Sequence, residues 1–162
     1  MGLRETINEK TSMVTIALLV LIAGAVALTI HSVMPSNPLD GAFFTTDDGQ
    51  TTFAGKIDDI PPFNHHGQPA VRAWMFTCDG GKTKFLGYLE RYTSGGKAKM
   101  ESGLADYKSG KTHVAPSPGP EDLEVKKPGT NNVWVSRNSH PLADQITKVN
   151  CDNGGTLDLA MP

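Results

Sequence analysis

The distribution of apolar and polar residues divides the chain into two unlike parts. Residues 13–34 read MVTIALLVLIAGAVALTIHSVM, and the 18 residues from 13 to 30 carry no charge. As a helix, that run is about 27 Å long, close to the roughly 30 Å hydrocarbon thickness of a bilayer. The segment is apolar all round, whereas a helix on the surface of a soluble domain is apolar on one face only. The pattern therefore predicts a transmembrane helix at residues 13–34, in contact with the lipid bilayer.

The charged residues around this segment predict its orientation. Arg4 and Lys10 precede it, and the next basic residue after it is Lys56. The positive-inside rule then places residues 1–12 in the cytoplasm and the remainder outside, as in a single-pass protein of the inner (cytoplasmic) membrane. The alternative is a signal peptide cut near residues 25–27, but the apolar region of a signal peptide usually has only about 7–15 residues. We therefore expect an uncleaved signal anchor.

The rest of the chain is predicted to form a linker and one small domain. Pro35 and Pro38 block continuation of the helix, so residues 35–41 are expected to be an extended linker. Beyond them, short apolar runs are separated by Gly, Pro, Asn and Asp, as in antiparallel strands joined by tight turns. Residues 42–162 are thus expected to form an extracytoplasmic domain of the mainly β (α+β) class, a small antiparallel sheet with one or two short helices.

Individual elements follow from the same pattern. Strand pairs are expected at residues 42–46 with 51–55, 70–77 with 83–92, and 147–151 with 156–159. A further strand is expected at residues 132–137, and short helices at residues 101–108 and 141–147. In residues 60–69, Pro61, Pro62 and Gly67 disfavour regular structure, and the segment is expected to be an irregular loop. The strand at residues 70–77 carries apolar side chains in both phases, which is typical of a central strand.

The motif Asp-x-Gly-x-Thr recurs in the domain. Its copies are Asp47-Gly49-Thr51, Asp79-Gly81-Thr83 and Asp152-Gly154-Thr156. Each residue type suits a tight turn, because the carboxylate accepts backbone N–H groups, glycine adopts a positive φ, and a β-branched threonine opens the return strand. Phenylalanines flank the first two copies at equivalent positions, 44 and 53, and 76 and 85. We therefore predict hairpin turns at these places.

The first two copies resemble the Asp-box, Ser/Thr-x-Asp-x-Gly-x-Thr followed by an aromatic residue. Residues 45–51, TTDDGQT, and residues 77–83, TCDGGKT, fit its first seven positions. The eighth position differs, because each Phe comes one place late, and the third copy begins with Asn150 and ends in Leu157. In sialidases, sortilin-like propellers and some small secreted enzymes, this motif forms hairpin turns away from the active site. The resemblance therefore implies a hairpin and no particular activity.

Composition and charge narrow the functional classes. Lys and Arg total 15 and Asp and Glu total 17, so the formal net charge is −2. This balance lacks the basic surface that nucleic-acid binding requires, and no nucleic-acid partner is expected. The chain also contains no Gly-x-Ser-x-Gly motif for a nucleophilic serine. We therefore expect no catalytic activity and no cofactor.

Two cysteines offer a covalent link. Cys78 and Cys151 each directly precede the Asp of a turn motif, so they would occupy equivalent places in two hairpins. An exported domain lies in an oxidising compartment, where disulfides form and persist. We predict a Cys78–Cys151 disulfide, with two free thiols as the alternative.

Candidate metal ligands are grouped in one polar segment. His65 and His66 are adjacent and follow Asp58, and His113 or His140 could add a further ligand. No HxH, HExxH or CxxC spacing accompanies them, so a solvated loop is the preferred interpretation and no metal is expected. The acidic residues from Asp47 onward also lack the alternation of an EF-hand calcium loop.

Aromatic residues at strand positions are the candidates for ligand binding. They are Trp74, Tyr88, Tyr92 and Trp134. Aromatic side chains on one face of a sheet can stack on sugars, but at strand positions they more often belong to the core.

As a whole, the chain resembles bacterial single-span membrane proteins that carry a small exported β-rich head, a resemblance that brings no known activity. Our leading hypothesis is a membrane-anchored extracytoplasmic binding or structural module of the cell envelope, with an envelope protein as partner and an oligomeric state that the sequence leaves open. One alternative is a small periplasmic enzyme or metal-handling protein that uses His65 and His66. Another is a pilin-like subunit of a secretion apparatus.

Overall fold

The computed structural model describes residues 20–22 and residues 41–162 except for 130 and 153. Residues 20–22 are helical and exposed. Apart from these three, the predicted transmembrane segment lies outside the described residues, as do residues 1–12 and most of the predicted linker. Within the described part of the chain, no helix combines the length and the apolar character that a membrane span requires.

An antiparallel sheet forms the domain. Its strands are β1 (Gly41–Thr45), β2 (Phe53–Lys56), β3 (Phe63–His65), β4 (Gln68–Thr77), β5 (Phe85–Tyr92), β6 (Leu123–Lys126), β7 (Val135–Ser136) and β8 (Asp158–Leu159). Two α-helices, α1 (Ser94–Lys108) and α2 (Leu142–Thr147), and a 3₁₀ turn (Pro120–Asp122) complete the elements of the domain. The predicted class, a mainly antiparallel sheet with short helices, is confirmed.

The order of the strands makes β4 and β5 central. The main path is β2-β1-β4-β5-β6-β7, and both β3 and β8 pair with β4. Two of the three predicted hairpins are present, since β1 pairs with β2 and β4 pairs with β5. The prediction that residues 70–77 form a central strand is therefore confirmed.

The core lies on both sides of β5. Its consecutive residues Tyr88, Leu89 and Glu90 are all buried, although successive strand side chains point to opposite faces. On one face, Tyr88 and Val125 pack against Ala143 of α2. Because the strand is covered on both faces, its sequence shows little alternation.

The helix α1 begins earlier than its sequence suggests. Thr93 is its N-cap, and the Thr93 hydroxyl accepts the N–H of Gly96 at 3.0 Å. A Cβ at Gly96 would lie 2.4 Å from the backbone oxygen of Asp122, so only glycine allows this close approach. The predicted helix at residues 101–108 was too short, because Gly95 and Gly96 lie in the first turn and glycine has a low helix propensity.

The prediction of an irregular loop at residues 60–69 is wrong. Residues 63–65 form β3, which pairs with the start of β4 across a turn at His66 and Gly67. The N–H of Gly67 donates to Asn64 Oδ1 at 2.8 Å and closes that turn. The breakers do not interrupt pairing, because the first two prolines precede β3 and the glycine occupies the turn itself.

The last two predicted strands also need correction. Of residues 132–137, only Val135–Ser136 are a strand. The predicted hairpin of residues 147–151 with 156–159 is absent from the described residues, because Thr147 ends α2 and β8 pairs with β4 instead. The pairing is continued by the N–H of Ala160, which donates to the Met75 carbonyl at 2.9 Å. The C-terminal segment therefore pairs with the end of the central strand β4.

Candidate functional site

The turn between β1 and β2 is built by two side chains. The buried Thr45 hydroxyl donates to Asp47 Oδ1 at 2.8 Å and accepts the N–H of Gly49 at 3.0 Å. The Asp47 carboxylate in turn accepts the N–H of Thr51 at 2.9 Å and the Thr51 hydroxyl at 2.6 Å. Gly49 has a φ of 90°, a region that favours glycine.

The turn between β4 and β5 repeats this arrangement. The Thr77 hydroxyl donates to Asp79 Oδ1 at 2.8 Å and accepts the N–H of Gly81 at 2.9 Å. Asp79 Oδ1 accepts the N–H of Thr83 at 2.9 Å. The first Thr, which precedes the Asp by two positions, is therefore as much a part of the turn as the Asp, Gly and Thr that follow.

Hydrogen bonds to the two carboxylates lower their pKa values. The Thr51 hydroxyl and N–H, together with the Thr45 hydroxyl, lower the pKa of Asp47 from 3.8 to about 2. The N–H of Thr83 and the hydroxyl of Thr77 lower the pKa of Asp79 from 3.8 to about 2. Both carboxylates are therefore used to hold the turns, as the sequence predicted for their residue types.

The double variant Asp47→Asn/Asp79→Asn is expected to flatten the pH dependence of stability between about pH 4 and pH 2. In the native protein, both folded pKa values are depressed to about 2, so the unfolded chain takes up protons first as the pH falls. The stability that the carboxylates contribute is thus present above the unfolded pKa and lost through the folded pKa. Asparagine binds no proton in this range. The variant should therefore be less stable than the native protein at neutral pH, and it should lose less stability as the pH falls.

Equilibrium unfolding at a series of pH values measures this difference. Asp158→Asn removes an exposed aspartate outside the turns and serves as the matched control. Its free energy of unfolding should change with pH as steeply as that of the native protein. A double variant with the same slope as the native protein would show that these carboxylates do not control acid unfolding.

The third copy of the motif does not join two paired strands. Gly154 has a φ of 70°, and its N–H donates to the Cys151 carbonyl at 3.4 Å. Asp152 and Thr156 are exposed, and residues 154–157 form no strand. Asn150 stands where the other copies have a Thr hydroxyl, so this segment lacks the side chain that organises the first two turns.

Cys78 and Cys151 form a disulfide, with their Cα atoms 5.8 Å apart. Cys78 directly follows β4, and the bond ties that end of the strand to the segment after α2. Beside it lies an open groove of about 380 Å³, whose lining includes Asp79 and Asp152. The pair is the one the sequence predicted.

A cluster of polar and aromatic side chains, which we call the Glu90 cluster, comprises Arg72, Trp74, Tyr88, Glu90 and Arg137. The register places Arg72 opposite Glu90 and Trp74 opposite Tyr88, on one face of β4 and β5. Trp74 Nε1 donates to Glu90 Oε1 at 3.0 Å, and Arg137 Nη1 donates to Glu90 Oε2 at 3.3 Å. The Arg72 guanidinium lies 5.2 Å from the Trp74 ring centroid. Both oxygens of a buried carboxylate are therefore bonded.

Burial dominates the electrostatics of this cluster. It raises the pKa of Glu90, although the Trp74 hydrogen bond and the charges of Arg137 and Arg72 act in the opposite direction. Burial also raises the pKa of Tyr88. Among the described residues, the Glu90 cluster is the candidate functional site, because it combines a buried ionisable group with partly exposed arginine side chains.

Sequence reasoning missed Glu90 and Arg137 as partners. The available signal was a glutamate within the apolar strand FLGYLERY, since a charge is seldom buried without a partner. Its neighbour Arg91 lies on the opposite face of the strand and pairs with Glu124 at 2.8 Å.

The four candidate aromatic residues do not form one platform. Trp74 and Tyr88 stack with their ring centroids 5.7 Å apart, and Tyr92 lies further along the Tyr88 face of β5. Trp134 instead packs on the guanidinium of Arg91, 4.3 Å from its ring centroid, on the opposite face. The arrangement gives the aromatic residues packing roles on two faces.

The candidate metal ligands are also engaged elsewhere. His65 stacks on Phe53 with ring centroids 3.9 Å apart, and His66 contacts His65 edge-on at 4.3 Å. Asp58 accepts a hydrogen bond from Lys108 at 2.8 Å, which lowers the pKa of Asp58. In the described part of the chain, no three His, Cys, Asp or Glu side chains are grouped as a metal site would require.

Comparisons of the chain with protein-family models, with curated protein sequences and with solved structures found no match. The function of the chain is therefore inferred from its own residues and their geometry.

Proposed function

We propose that this chain is a membrane-anchored extracytoplasmic module with a binding or structural role in the cell envelope. Its anchor is the apolar segment at residues 13–34, and its outer part is the antiparallel domain that begins at Gly41. The partly exposed side chains of Arg72 and Arg137 would face an acidic group on a partner protein.

The disulfide is the observation that carries this proposal. Cys78 and Cys151 are the chain's only cysteines, and they are bonded to each other. Structural disulfides form and persist in extracytoplasmic compartments and are rare where thiols are kept reduced. The outward orientation inferred from Arg4 and Lys10 requires the same compartment, so two independent features agree.

A structural or binding role is also supported by how the ionisable groups are used. Both oxygens of Glu90 accept hydrogen bonds from within the domain. Asp47 and Asp79 hold turns, and Asp58 pairs with Lys108. These carboxylates therefore serve the fold, which favours a module that presents a surface over one that performs proton transfer.

The test is the intact mass of the protein extracted from membranes, with and without reductant. The expected mass is that of residues 1–162 and is about 2 Da lower before reduction, because the disulfide lacks two hydrogen atoms. A thiol-reactive reagent applied before lysis should label neither cysteine. The matched control is the same chain without residues 1–34, which should stay in the cytoplasm with both thiols reduced.

Two results would contradict the proposal. A chain that begins near residue 28 would be a released protein rather than an anchored one. A full-length chain with two free thiols in the cell would place the domain in a reducing compartment, and the orientation would be wrong.

A further inference from the structure

The two arginines of the Glu90 cluster come from different parts of the sheet and act on the same carboxylate. Arg72 lies in β4, directly opposite Glu90 in β5. Arg137 follows β7, and its backbone N–H donates to the Leu123 carbonyl at 2.9 Å, which holds this residue against β6. Burial raises the pKa of Glu90, and the charges of both arginines oppose that effect. Two guanidinium groups therefore converge on one buried acid.

Glu90 uses only part of the donor capacity around it. One of its oxygens accepts the indole N–H of Trp74, and the other accepts an N–H of Arg137 at 3.3 Å. Within the described residues, no carboxylate accepts a hydrogen bond from Arg72, whose guanidinium lies over the Trp74 ring. A guanidinium on an aromatic face keeps the N–H donors in its own plane available to an acceptor. The donors of Arg72 are therefore available to a second acid.

The charges of the cluster do not cancel. Arg72 and Arg137 contribute two positive charges and Glu90 contributes one negative charge, which leaves a surplus of one positive charge. The carboxylates of neighbouring segments have partners of their own: Asp59 accepts the N–H of Lys56, Asp122 pairs with Lys99, Glu124 pairs with Arg91, and Asp144 pairs with His140. A ligand with one negative charge would therefore neutralise the cluster.

Both arginines are accessible, whereas the acid between them is not. The Arg137 side chain is 36% exposed and Arg72 is partly exposed, but the Glu90 side chain is only 10% exposed. The ring of Trp74 already contacts Arg72 and stacks on Tyr88. An external ligand would therefore meet guanidinium N–H groups rather than a free aromatic face of the kind that stacks on a sugar.

We propose that Arg72 and Arg137 together bind one carboxylate of a partner protein, an Asp or Glu side chain, and that Glu90 is a resident carboxylate that opposes it. Guanidinium groups match a carboxylate with paired, charge-assisted hydrogen bonds. A phosphate monoester carries about −1.5 to −2 at neutral pH and would exceed the surplus charge beside Glu90. The inference rests on the binding role proposed above, and it narrows that role to one ligand chemistry.

The experiment follows the indole N–H signals in the NMR spectrum of the full-length, oxidised protein in micelles of a non-ionic detergent. The chain has two tryptophans, Trp74 and Trp134. Trp74 donates to Glu90 and reports on the cluster, whereas Trp134 packs on Arg91 on the opposite face and is the internal control. A short peptide with one glutamate, blocked at both ends, should shift the Trp74 signal to saturation and leave the Trp134 signal unchanged. The same peptide with glutamine should shift neither signal.

Charge variants supply the second arm of the experiment. Arg72→Gln should raise the peptide concentration at half-saturation at least tenfold, because one of the two guanidinium groups is lost. Glu90→Gln should lower that concentration about tenfold, because loss of the resident charge strengthens the attraction at short range. Lys82→Gln removes an equal charge at an exposed position in a turn and should bind as the native protein does. Tighter binding by Glu90→Gln cannot result from misfolding, so the test does not depend on the Arg72 variant alone.

The outcomes separate this inference from the proposed function. A protein with the anchored, oxidised mass but no Trp74 shift would overturn carboxylate binding and leave a structural role. Saturable binding by a chain that proves to be released or reduced would support this site and contradict the anchored module. Weaker binding by Glu90→Gln would overturn the opposition by Glu90. Tighter binding of methyl phosphate or galacturonate than of the glutamate peptide would overturn the choice of a protein carboxylate.

Discussion

The double variant Cys78→Ala/Cys151→Ala is expected to be less stable than the native protein by about 4 kcal/mol. The bond closes a loop with a sequence separation of 73 residues, and the chain-entropy model gives a large effect for so long a loop. Removal of the bond frees the unfolded chain, and it also releases the end of β4 from the segment after α2. Urea unfolding of the full-length protein, followed by tryptophan fluorescence, measures the loss.

Reduction provides the control for this variant. The native protein with reductant should unfold at the same urea concentration as the double variant, and reductant should have no effect on the variant itself. A variant as stable as the oxidised native protein would show that the packing around β8 holds this end of the sheet without the covalent link.

The Arg137→Met variant is expected to be destabilised by about 2–3 kcal/mol at neutral pH. It leaves Glu90 Oε2 without its donor while the carboxylate remains largely buried, with a side chain 10% exposed. The Arg137 side chain is 36% exposed, so the expected loss is below the roughly 3–5 kcal/mol of a fully buried pair. Equilibrium unfolding between neutral and mildly acidic pH measures the effect.

The pH dependence of this loss has a defined sign. The pKa of Glu90 is already raised by burial, and loss of the Arg137 charge raises it further. A raised folded pKa means that ionised Glu90 lowers stability above that pKa, and that this cost disappears as protonation occurs. The difference between Arg137→Met and the native protein should therefore shrink as the pH falls.

A double-mutant cycle tests whether the two residues act as a pair. With Glu90→Gln already present, Arg137→Met should cost less than half as much and should show little pH dependence, because no buried charge remains to be compensated. An equal cost in both backgrounds would mean that Arg137 stabilises the domain by packing alone.

The two hairpin turns were predictable because their chemistry is local. Thr45, Asp47, Gly49 and Thr51 lie within seven consecutive residues, and their hydrogen bonds join residues no more than four positions apart. The helix α2 was predictable for the same reason. The role of the first Thr in each turn could have been inferred from the resemblance to the Asp-box, whose first position is Ser or Thr.

The pairings that define the cluster and the sheet edge are non-local, and the sequence does not reveal them. Arg137 and Glu90 are 47 residues apart, and Lys84 reaches the carbonyl of Met161 across 77 residues. Likewise, the motif before β8 indicated a hairpin, yet β8 pairs with β4. It does so on the part of the β4 edge that β1 leaves unpaired. Such contacts depend on which strands become neighbours, and hydrophobic pattern alone does not determine this.

The disulfide was predicted correctly on a premise that proved wrong. Equivalence of two hairpins suggested that the thiols meet, but the described residues around Cys151 form no hairpin. The bond forms because the chain passes the end of β4 after α2, where Cys78 lies. Because the chain has only two cysteines, only one disulfide within the chain is possible.

The same bond determines how the domain would respond to mechanical load. A pull on the C-terminus would first separate β8 from β4, because that pairing consists only of Phe76 and Thr77 with β8 and the hydrogen bond from Ala160 to Met75. Extension then stops at Cys151, and the force passes through the covalent bond directly to Cys78. Residues 79–150, which include β5, both helices and Glu90, carry none of it. An oxidised domain stretched between two attachments could therefore extend only through the residues before Cys78 and after Cys151, whereas a reduced one could extend along its whole length.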